Sequence, residues 1–330
     1  MAEERAAVSG ATGFIGSAVV RELLAAGRPV RALVEPGAPR TSLEGLDVEV
    51  VEVDVTNLEG MTAALADCGA YYHLAAIYKV WTPDPDAIYR VNLEGTTVSL
   101  LAARAAGVAR VVYTSSIAAV GFREDGKPAN ESVPFNAYDI ANDYVLTKHL
   151  SERIAARFAE AGHPIVIVNP AFPFGERDIA PTPTGGIILA LLRGEVPAMS
   201  PGGFCAVDVH DVAKAHVAAE SRGRVGERYI LGNHNVTFAE FAQLVCEIAD
   251  RTPPRITLPA VVGRVAARAY EQVARITHQA PPVTLKSAQY MQRRAWFDTA
   301  KARDELGMPC TPLAQSVQRA IAYFRATGMV

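Results

Sequence analysis

The sequence lacks the features that would place it across a membrane, on nucleic acid or in a disulfide framework. The uncharged stretch 162–175 is shorter than the roughly 18 apolar residues that a transmembrane helix needs. The 32 basic and 35 acidic residues leave a net charge of −3, so we expect no nucleic-acid partner. The four cysteines form no CxxC pair, which favours reduced thiols over a disulfide frame or a zinc site. A small-molecule ligand is the remaining expectation.

Targeting and metal-binding motifs are also missing. The acidic start Met1–Arg5 runs directly into a glycine-rich turn, where a signal peptide would need an apolar segment. The seven histidines form no HExxH or comparable ligand spacing. We therefore expect a cytoplasmic protein with no membrane span and no metal.

What the sequence does contain is a regular alternation of short apolar runs and longer helical patterns over its first 170 residues. Such alternation is typical of a parallel sheet that is covered by helices on both faces. The predicted strands are Ala6–Ser9, Val30–Glu35, Val48–Val53, Ala70–Leu74, Arg110–Thr114 and Ile165–Asn169. The predicted helices are 14–27, 57–67, 86–106 and 141–161. The fold class is therefore α/β, a doubly wound Rossmann parallel sheet.

The regular pattern breaks beyond Pro170, where prolines crowd between helical pieces. A chain of 330 residues is long enough for about two domains. We assign 1–170, plus about 206–232, to a nucleotide-binding Rossmann domain. We assign about 171–205 and 233–330 to a smaller, mostly helical, C-terminal substrate lobe.

The first strand ends in a glycine-rich turn that opens the first helix. Its residues are Gly10, Ala11, Thr12, Gly13, Phe14, Ile15 and Gly16. Glycines there let backbone N–H groups and the positive end of a helix approach a pyrophosphate, which a side chain would obstruct. We therefore predict a dinucleotide site, with Thr12, Phe14 and Ile15 beside the glycines.

Three charged residues after the second and third strands bear on the choice of nucleotide. Glu35 can bind both ribose hydroxyls of NAD and would repel the extra phosphate of NADP. Arg40 follows in the same loop and could instead neutralise that phosphate. Asp54 can accept a hydrogen bond from an adenine amino group, or it can cap a helix. We predict NAD as the preferred cofactor, with NADP as the alternative.

Tyr144 and Lys148 lie one helical turn apart, and hydroxyl residues Thr114, Ser115 and Ser116 follow the fifth strand. Open α/β sheets bind ligands at this carboxyl edge. A phenol with a pKa near 10 exchanges protons poorly at neutral pH, but a nearby ammonium group favours the phenolate. We predict Tyr144 as the acid–base, Lys148 as the group that lowers its pKa, and Ser116 as the hydrogen-bond donor to the reacting oxygen. A packed tyrosine, a solvated lysine and a turn-capping serine are the structural alternative.

In combination these motifs resemble the extended short-chain dehydrogenase/reductase family, which includes NAD-dependent epimerases and dehydratases. Further motifs that carry the resemblance are His73-Leu-Ala-Ala76, Val91-Asn92, Gly95-Thr96 and Asn169-Pro170. Within the family the chain is similar to the dihydroflavonol-reductase-like branch, and most similar to hopanoid-associated sugar epimerases through 169–175, 181–185 and 229–232.

This resemblance implies hydride transfer to or from a nicotinamide, and often a homodimer through helices 86–106 and 141–161. It also implies roles for six residues in the cofactor site. Ala75 and Ala76 would line the cofactor beside Val55 and Thr114, and Pro170 and Phe172 would flank the nicotinamide.

One departure from this family concerns the substrate. Nucleotide-sugar epimerases usually carry an arginine shortly before the segment Val209-His-Asp-Val-Ala213, and this chain aligns Phe204 there. A sugar nucleotide therefore loses support. Tyr78, Ser116, Phe172 and Phe204 are the predicted substrate contacts, and their aromatic rings would suit a less polar molecule.

Three functions follow from these observations. The first is an NAD(P)-dependent oxidoreductase that interconverts a secondary alcohol and a ketone. The second is a redox-neutral sugar epimerase that retains NAD. The third is a nucleotide-sensing regulator without catalysis, which the presence of Ser116, Tyr144 and Lys148 disfavours.

Overall fold

The structure is a computed structural model that describes residues 5–79, 81–82, 84–277, 281 and 283–330. Its strands are β1 (Arg5–Ser9), β2 (Val30–Val34), β3 (Glu49–Glu52), β4 (Cys68–His73), β5 (Arg110–Thr114), β6 (Ile165–Pro170), β7 (Phe172–Phe174), β8 (Gly203–Asp208), β9 (Arg228–Leu231), β10 (His234–Thr237) and β11 (Arg294–Ala295). Its helices are α1 (Phe14–Ala25), α2 (Leu58–Ala64), α3 (Asp86–Tyr89), α4 (Gly95–Ala105), α5 (Asp143–Glu160), α6 (Pro183–Arg193), α7 (Val209–Arg222), α8 (Phe238–Ala249), α9 (Ala260–Thr277), α10 (Leu285–Met291) and α11 (Leu313–Ala326).

Seven parallel strands form the main sheet, in the order β3-β2-β1-β4-β5-β6-β9. The strand order reverses beside β1, as in doubly wound nucleotide-binding sheets. Apolar clusters cover both faces, because β-branched and aromatic side chains alternate between the two sides of each strand. The predicted α/β Rossmann fold is confirmed, and the strand bounds agree with the prediction to within about two residues.

The predicted helix 86–106 is interrupted. The chain forms α3, then a π-helical turn at Arg90–Glu94, and then α4. Asn92 in this turn is buried, and its side-chain oxygen accepts a hydrogen bond from the Ile77 N–H at 2.8 Å. Its amide nitrogen donates to the Thr147 hydroxyl at 3.0 Å. The π turn therefore anchors the segment after β4 against α5.

A second, smaller sheet lies beyond the main one. β8 pairs with β10, β11 and β7, and a separate apolar cluster joins this sheet to α6, α8 and α11. The C-terminal part thus contains this small sheet in addition to the helices α6, α8, α9, α10 and α11. The sequence pattern does not reveal these strands, because they lie in a proline-rich part of the chain and are short. β11 has only two residues.

Phe204 in β8 is the centre of this second core rather than a substrate contact. Its side chain is fully buried, and its ring packs against Phe172, Phe174, Phe238 and Phe241 at centroid distances of 4.9 to 5.8 Å. It does not line the cavity that the structure forms at the carboxyl edge of the main sheet. The placement of Phe204 at the substrate is therefore wrong, because the sequence alone does not distinguish a cavity wall from a buried strand.

We expect Phe204→Ala to lower the free energy of unfolding by about 3 to 5 kcal/mol, since it leaves a cavity among four rings. Urea unfolding followed by circular dichroism measures this loss. Phe158→Ala is the matched control, because the Phe158 ring on α5 is only half-buried and its removal should cost less. Equal losses in the two variants would contradict the central position of Phe204.

Candidate active site

The glycine turn places backbone where a side chain could not fit. Gly10 has a φ of +66°, and a Cβ there would lie 2.8 Å from the backbone nitrogen of Ala75. A Cβ on Gly16 would overlap the carbonyl oxygen of Gly10. Gly13 precedes α1, and no side chain of the described residues caps this helix start. The first turn of α1 therefore offers free N–H groups and a positive dipole end to an anion.

The turn opens into a cavity of about 710 Å³ at the carboxyl edge of the main sheet. Most of the predicted site residues line it, and they come from strand ends, α1 and α5. They are Gly10, Thr12, Gly13, Phe14, Ile15, Gly16, Ala76, Tyr78, Thr114, Ser116, Tyr144, Lys148, Pro170 and Phe172. Residues far apart in the sequence thus meet around one space that is large enough for a small molecule.

Five predicted cofactor residues do not line this cavity. Glu35 and Asp54 follow β2 and β3 and are exposed. Arg40 forms an ion pair with Glu52. Its guanidinium group, which the sequence offers as a partner for a phosphate, is therefore already paired. Val55 and Ala75 are half-buried, and each lies where it blocks a Cβ on a neighbouring glycine. Ala75 thus lies behind Gly10 of the glycine turn, whereas Val55 lies against Gly95 at the start of α4.

Asp54 does not cap the following helix. One of its carboxylate oxygens accepts hydrogen bonds from the N–H and the hydroxyl of Thr56, at 2.9 and 2.8 Å. The helix cap is Asn57, whose side-chain oxygen accepts from the Gly60 N–H at 3.1 Å. The helix-capping alternative for Asp54 is therefore wrong.

Tyr144 stands at the start of α5, which begins when the Asn142 side chain accepts a hydrogen bond from the Val145 N–H at 2.9 Å. Burial raises the pKa of Tyr144 to about 12, and a hydrogen bond with the Ser116 side chain acts in the opposite direction. The Tyr78 ring packs against it at a centroid distance of 4.6 Å. Tyr144 is thus a protonated phenol at neutral pH in the protein alone.

Lys148 is buried one turn further along the helix. Its ammonium donates a hydrogen bond to the Thr114 carbonyl oxygen at 2.9 Å, which joins α5 to the end of β5. Burial lowers the pKa of Lys148 to about 8, while the Glu152 carboxylate acts to raise it. Burial therefore outweighs the lowering of the Tyr144 pKa that the sequence predicts, and the opposing contribution comes from the hydrogen bond with Ser116.

Hydrogen bonds hold both the side chain and the backbone of Ser116. Its hydroxyl oxygen accepts a hydrogen bond from the Ala118 N–H at 3.1 Å, so it caps a short turn as well as facing the cavity. Its carbonyl oxygen accepts from the Asn169 amide at 2.9 Å. The same Asn169 amide donates to Glu152, whose other oxygen accepts from Arg228 at 2.8 Å. This network fixes the position of Ser116 relative to α5, the helix that carries Lys148.

The sequence does not predict several of the residues that line the cavity. Arg177, Asp178, Tyr290 and Met291 reach the cavity from the C-terminal part of the chain. Asp178 is buried and accepts hydrogen bonds from the backbone and hydroxyl of Thr182, and burial raises its pKa to about 6. The sequence does not point to these positions, because Arg177 and Asp178 lie on an irregular segment and Tyr290 and Met291 lie on the short helix α10, which only the fold brings to the cavity.

Ser115 offers a further polar group toward this space. Its side-chain oxygen is buried and has no hydrogen-bond partner among the described residues, although the residue lines the cavity. A bound molecule with a polar group would satisfy it. Together with the uncapped start of α1, this orphaned hydroxyl fits a site that holds a phosphorylated nucleotide.

Metal and membrane features can be checked over the same residues. Within the described ranges, no three histidine, cysteine, aspartate or glutamate side chains are grouped as metal ligands. Of the helices that the structure describes, none combines the length and apolar character needed to cross a bilayer.

Comparison with known proteins decides the family. Residues 6–232 match the model of the NAD dependent epimerase/dehydratase family. The chain belongs to this family. A Synechocystis protein provisionally assigned as a dihydroflavonol 4-reductase is 36% identical over 327 residues, which are 98% of this chain and 95% of that one. Sterol demethylase protein B of Methylococcus capsulatus is 32% identical over 98% of this chain and 99% of its own.

The structural comparison agrees. The crystal structure of gox2253 superposes with a TM-score of 0.89 at 38% identity, and 99% of each chain is covered. The resemblance to extended short-chain dehydrogenases/reductases is therefore confirmed, and this chain is an enzyme of that type. Membership of an NAD-dependent family also confirms the predicted nicotinamide cofactor, with NAD as the family's nucleotide.

We expect the buried ammonium of Lys148 to make stability depend on pH. Its folded pKa of about 8 lies below the usual 10.5, so the unfolded chain binds the proton more tightly. Lys148 therefore lowers the free energy of unfolding below pH 8 by about 3 kcal/mol, and this cost disappears as the pH rises to 10.5. Lys148→Met should be more stable than the wild type at pH 7, with an advantage that shrinks by pH 10.

Urea unfolding at both pH values measures the difference. Lys214→Met is the matched control, since this lysine is exposed on α7 and its removal should give a difference that does not change with pH. A constant difference for Lys148→Met would contradict the prediction.

Proposed function

We propose that this enzyme interconverts a secondary alcohol and a ketone with NAD(P) as the hydride carrier. The observation that carries the proposal is the convergence of Ser116, Tyr144 and Lys148 on the same cavity as the glycine turn. Each of the three groups has the bonding that its proposed role requires. The reductase assignment of the Synechocystis relative also supports this reaction class.

Tyr144 is the proposed proton donor and acceptor. In the reductive direction its hydroxyl releases a proton to the carbonyl oxygen, the C=O bond becomes a C–OH group, and a phenolate remains. In the oxidative direction the phenolate takes the alcohol proton back. The hydride that the carbonyl carbon gains, or that the alcohol carbon loses, would be exchanged with a nicotinamide held in this site. The high pKa of Tyr144 makes the hydroxyl a weak acid in the protein alone, so positive charge brought into the site would favour the phenolate.

Ser116 and Lys148 support this proton transfer. The Ser116 hydroxyl would donate a hydrogen bond to the reacting oxygen and polarise it. Lys148 carries its charge near neutral pH with the help of Glu152, and it would hold the nicotinamide ribose. Since its ammonium is already bonded to the Thr114 carbonyl, its remaining N–H groups are the ones available for that role.

The cofactor assignments follow from position. We assign the pyrophosphate to the 10–16 turn, the adenosine ribose to Glu35, and the adenine to Asp54 with Val55. Ala75, Ala76, Thr114, Pro170 and Phe172 would surround the nicotinamide half. Arg40 is assigned no phosphate contact, because Glu52 already pairs with it. This arrangement favours NAD over NADP.

The substrate that we propose is a small, largely apolar molecule. Tyr78, Phe172, Tyr290 and Met291 contribute aromatic and thioether surface to the cavity. The Methylococcus relative is named for sterol demethylation, which is consistent with an apolar alcohol or ketone. We further propose a homodimer through helices 86–106 and 141–161 and a cytoplasmic location.

The direct test is hydride transfer itself. We expect the purified enzyme to oxidise NADH or NADPH in the presence of apolar ketones, measured as loss of nicotinamide absorbance. Tyr144→Phe should bind the nucleotide as before and lower turnover by about 10²- to 10⁴-fold, because it removes only the transferable proton. Tyr270→Phe, an exposed tyrosine on α9, is the matched control with normal turnover. Full turnover in Tyr144→Phe would contradict the mechanism.

The nucleotide released on denaturation separates the two catalytic hypotheses. One NAD per chain, retained through the cycle, would point to redox-neutral epimerisation with the same residues. Freely exchanging nucleotide would point to a reductase or dehydrogenase.

We expect Glu35→Arg to shift nucleotide preference from NAD toward NADP, since it replaces a carboxylate that repels the 2′-phosphate with a cation that binds it. Dissociation constants of both nucleotides, measured by fluorescence titration, test this. Glu247→Arg on α8 makes the same change of charge at an exposed position in the other lobe, and it should leave the preference unchanged. Unaltered preference in Glu35→Arg would show that this side chain does not contact the ribose.

A further inference from the structure

Helix α9 exposes apolar side chains that a helix of a water-soluble protein would normally bury. Val261, Val265, Val273 and Ile276 are 60, 60, 56 and 81% exposed. Spacings of four and eleven residues place Val261, Val265 and Ile276 on one stripe. Gln272 lies within this stripe and Arg268 at its edge. Surface helices normally turn such a stripe toward the core. We call this stripe, with the neighbouring Val262, the outer face of α9.

The opposite face of α9 fixes this orientation. It carries the fully buried Ala267, and its polar groups bond to the segment that contains α10. The Glu271 carboxylate accepts a hydrogen bond from the Leu285 N–H at 2.7 Å, and the Gln292 amide donates to the Ala260 carbonyl at 2.8 Å. The small and polar residues therefore face the protein, and the apolar face is left outward by the packing.

Positive charge borders this face. Arg268 is exposed at the middle of α9. Arg255, five residues before the helix begins, is also exposed, and it adjoins Ile256, which is 60% exposed. Neither arginine has an ion-pair partner among the residues that the structure describes. An apolar stripe bordered by unpaired arginines is the composition of helices that lie in the surface of an anionic bilayer.

We propose that the outer face of α9 docks this enzyme on an anionic lipid bilayer, with the helix parallel to the membrane plane. The valines and Ile276 would enter the boundary of the acyl chains, and Arg255 and Arg268 would meet lipid phosphates. A second copy of the chain fits this face less well. Two-fold packing of α9 on itself would bring the two Arg268 side chains together, and their like charges would remain unpaired.

Docking there would bring the cavity close to the lipid. α10 follows α9 and packs against it, and its residues Ser287, Tyr290 and Met291 line the cavity. An apolar substrate could then pass from the bilayer without crossing water. This last consequence rests on the proposed function, whereas the docking itself does not.

Vesicle co-sedimentation with the full chain tests the proposal. We expect the wild type to bind vesicles of phosphatidylcholine with phosphatidylglycerol more tightly than vesicles of phosphatidylcholine alone, and to bind less at high salt. The double variant V265E/I276E should bind at least about tenfold more weakly, since it buries two charges in place of apolar groups. Val225→Glu, at a 47% exposed valine before β9, is the matched control with unchanged binding.

Three further measurements complete the test. R255Q/R268Q should remove the preference for anionic vesicles while the apolar contact remains. Sedimentation velocity without lipid should give V265E/I276E the same mass as the wild type. Failure of the wild type to bind anionic vesicles would overturn the proposal, and so would a smaller assembly in V265E/I276E, which would identify the face as a contact between copies. Hydride-transfer activity with a water-soluble ketone should be the same in V265E/I276E, so failure of docking and failure of the proposed function are distinguishable.

Discussion

Hydrogen bonding between parallel strands forces the carboxyl ends of all seven to one edge of the main sheet. That single constraint gathers Gly10 after β1, Ser116 after β5 and Pro170 at the end of β6 around one cavity. A right-handed connection must return across the sheet between each pair, which is why α5 can present Tyr144 to Ser116. The candidate site is therefore a consequence of the sheet, and its loops add specificity.

The site is built at a cost in stability. Lys148 is held in a buried position that lowers its pKa, and Tyr144 is held as a buried phenol. The Glu152 carboxylate acts to keep the lysine charged, and it is itself fixed by Arg228 and Asn169. Removing Asn169 or Arg228 leaves one oxygen of the buried Glu152 carboxylate without its partner, so the network ties the geometry of the candidate site to the integrity of the core.

The C-terminal part of the chain supplies one wall of the cavity and an exposed apolar helix face. Its second core, centred on Phe204, supports a wall of the cavity through Phe172, while α10 supplies Tyr290 and Met291. The adjoining α9 turns valines and arginines outward. If this surface meets lipid, the same lobe would select an apolar substrate and bring the enzyme to where such molecules dissolve.

Sequence alone determined the sheet, the glycine turn and the three groups Ser116, Tyr144 and Lys148, because each rests on local patterns: strand periodicity, a glycine spacing and one helical turn. Only the tertiary structure decided which residues share the cavity. It buried Phe204 in a second core, paired Arg40 with Glu52, moved the helix cap from Asp54 to Asn57 and brought Asp178 and Tyr290 to the cavity. The reason is physical, since burial and pairing depend on neighbours that are distant in the chain and leave no periodic trace in it.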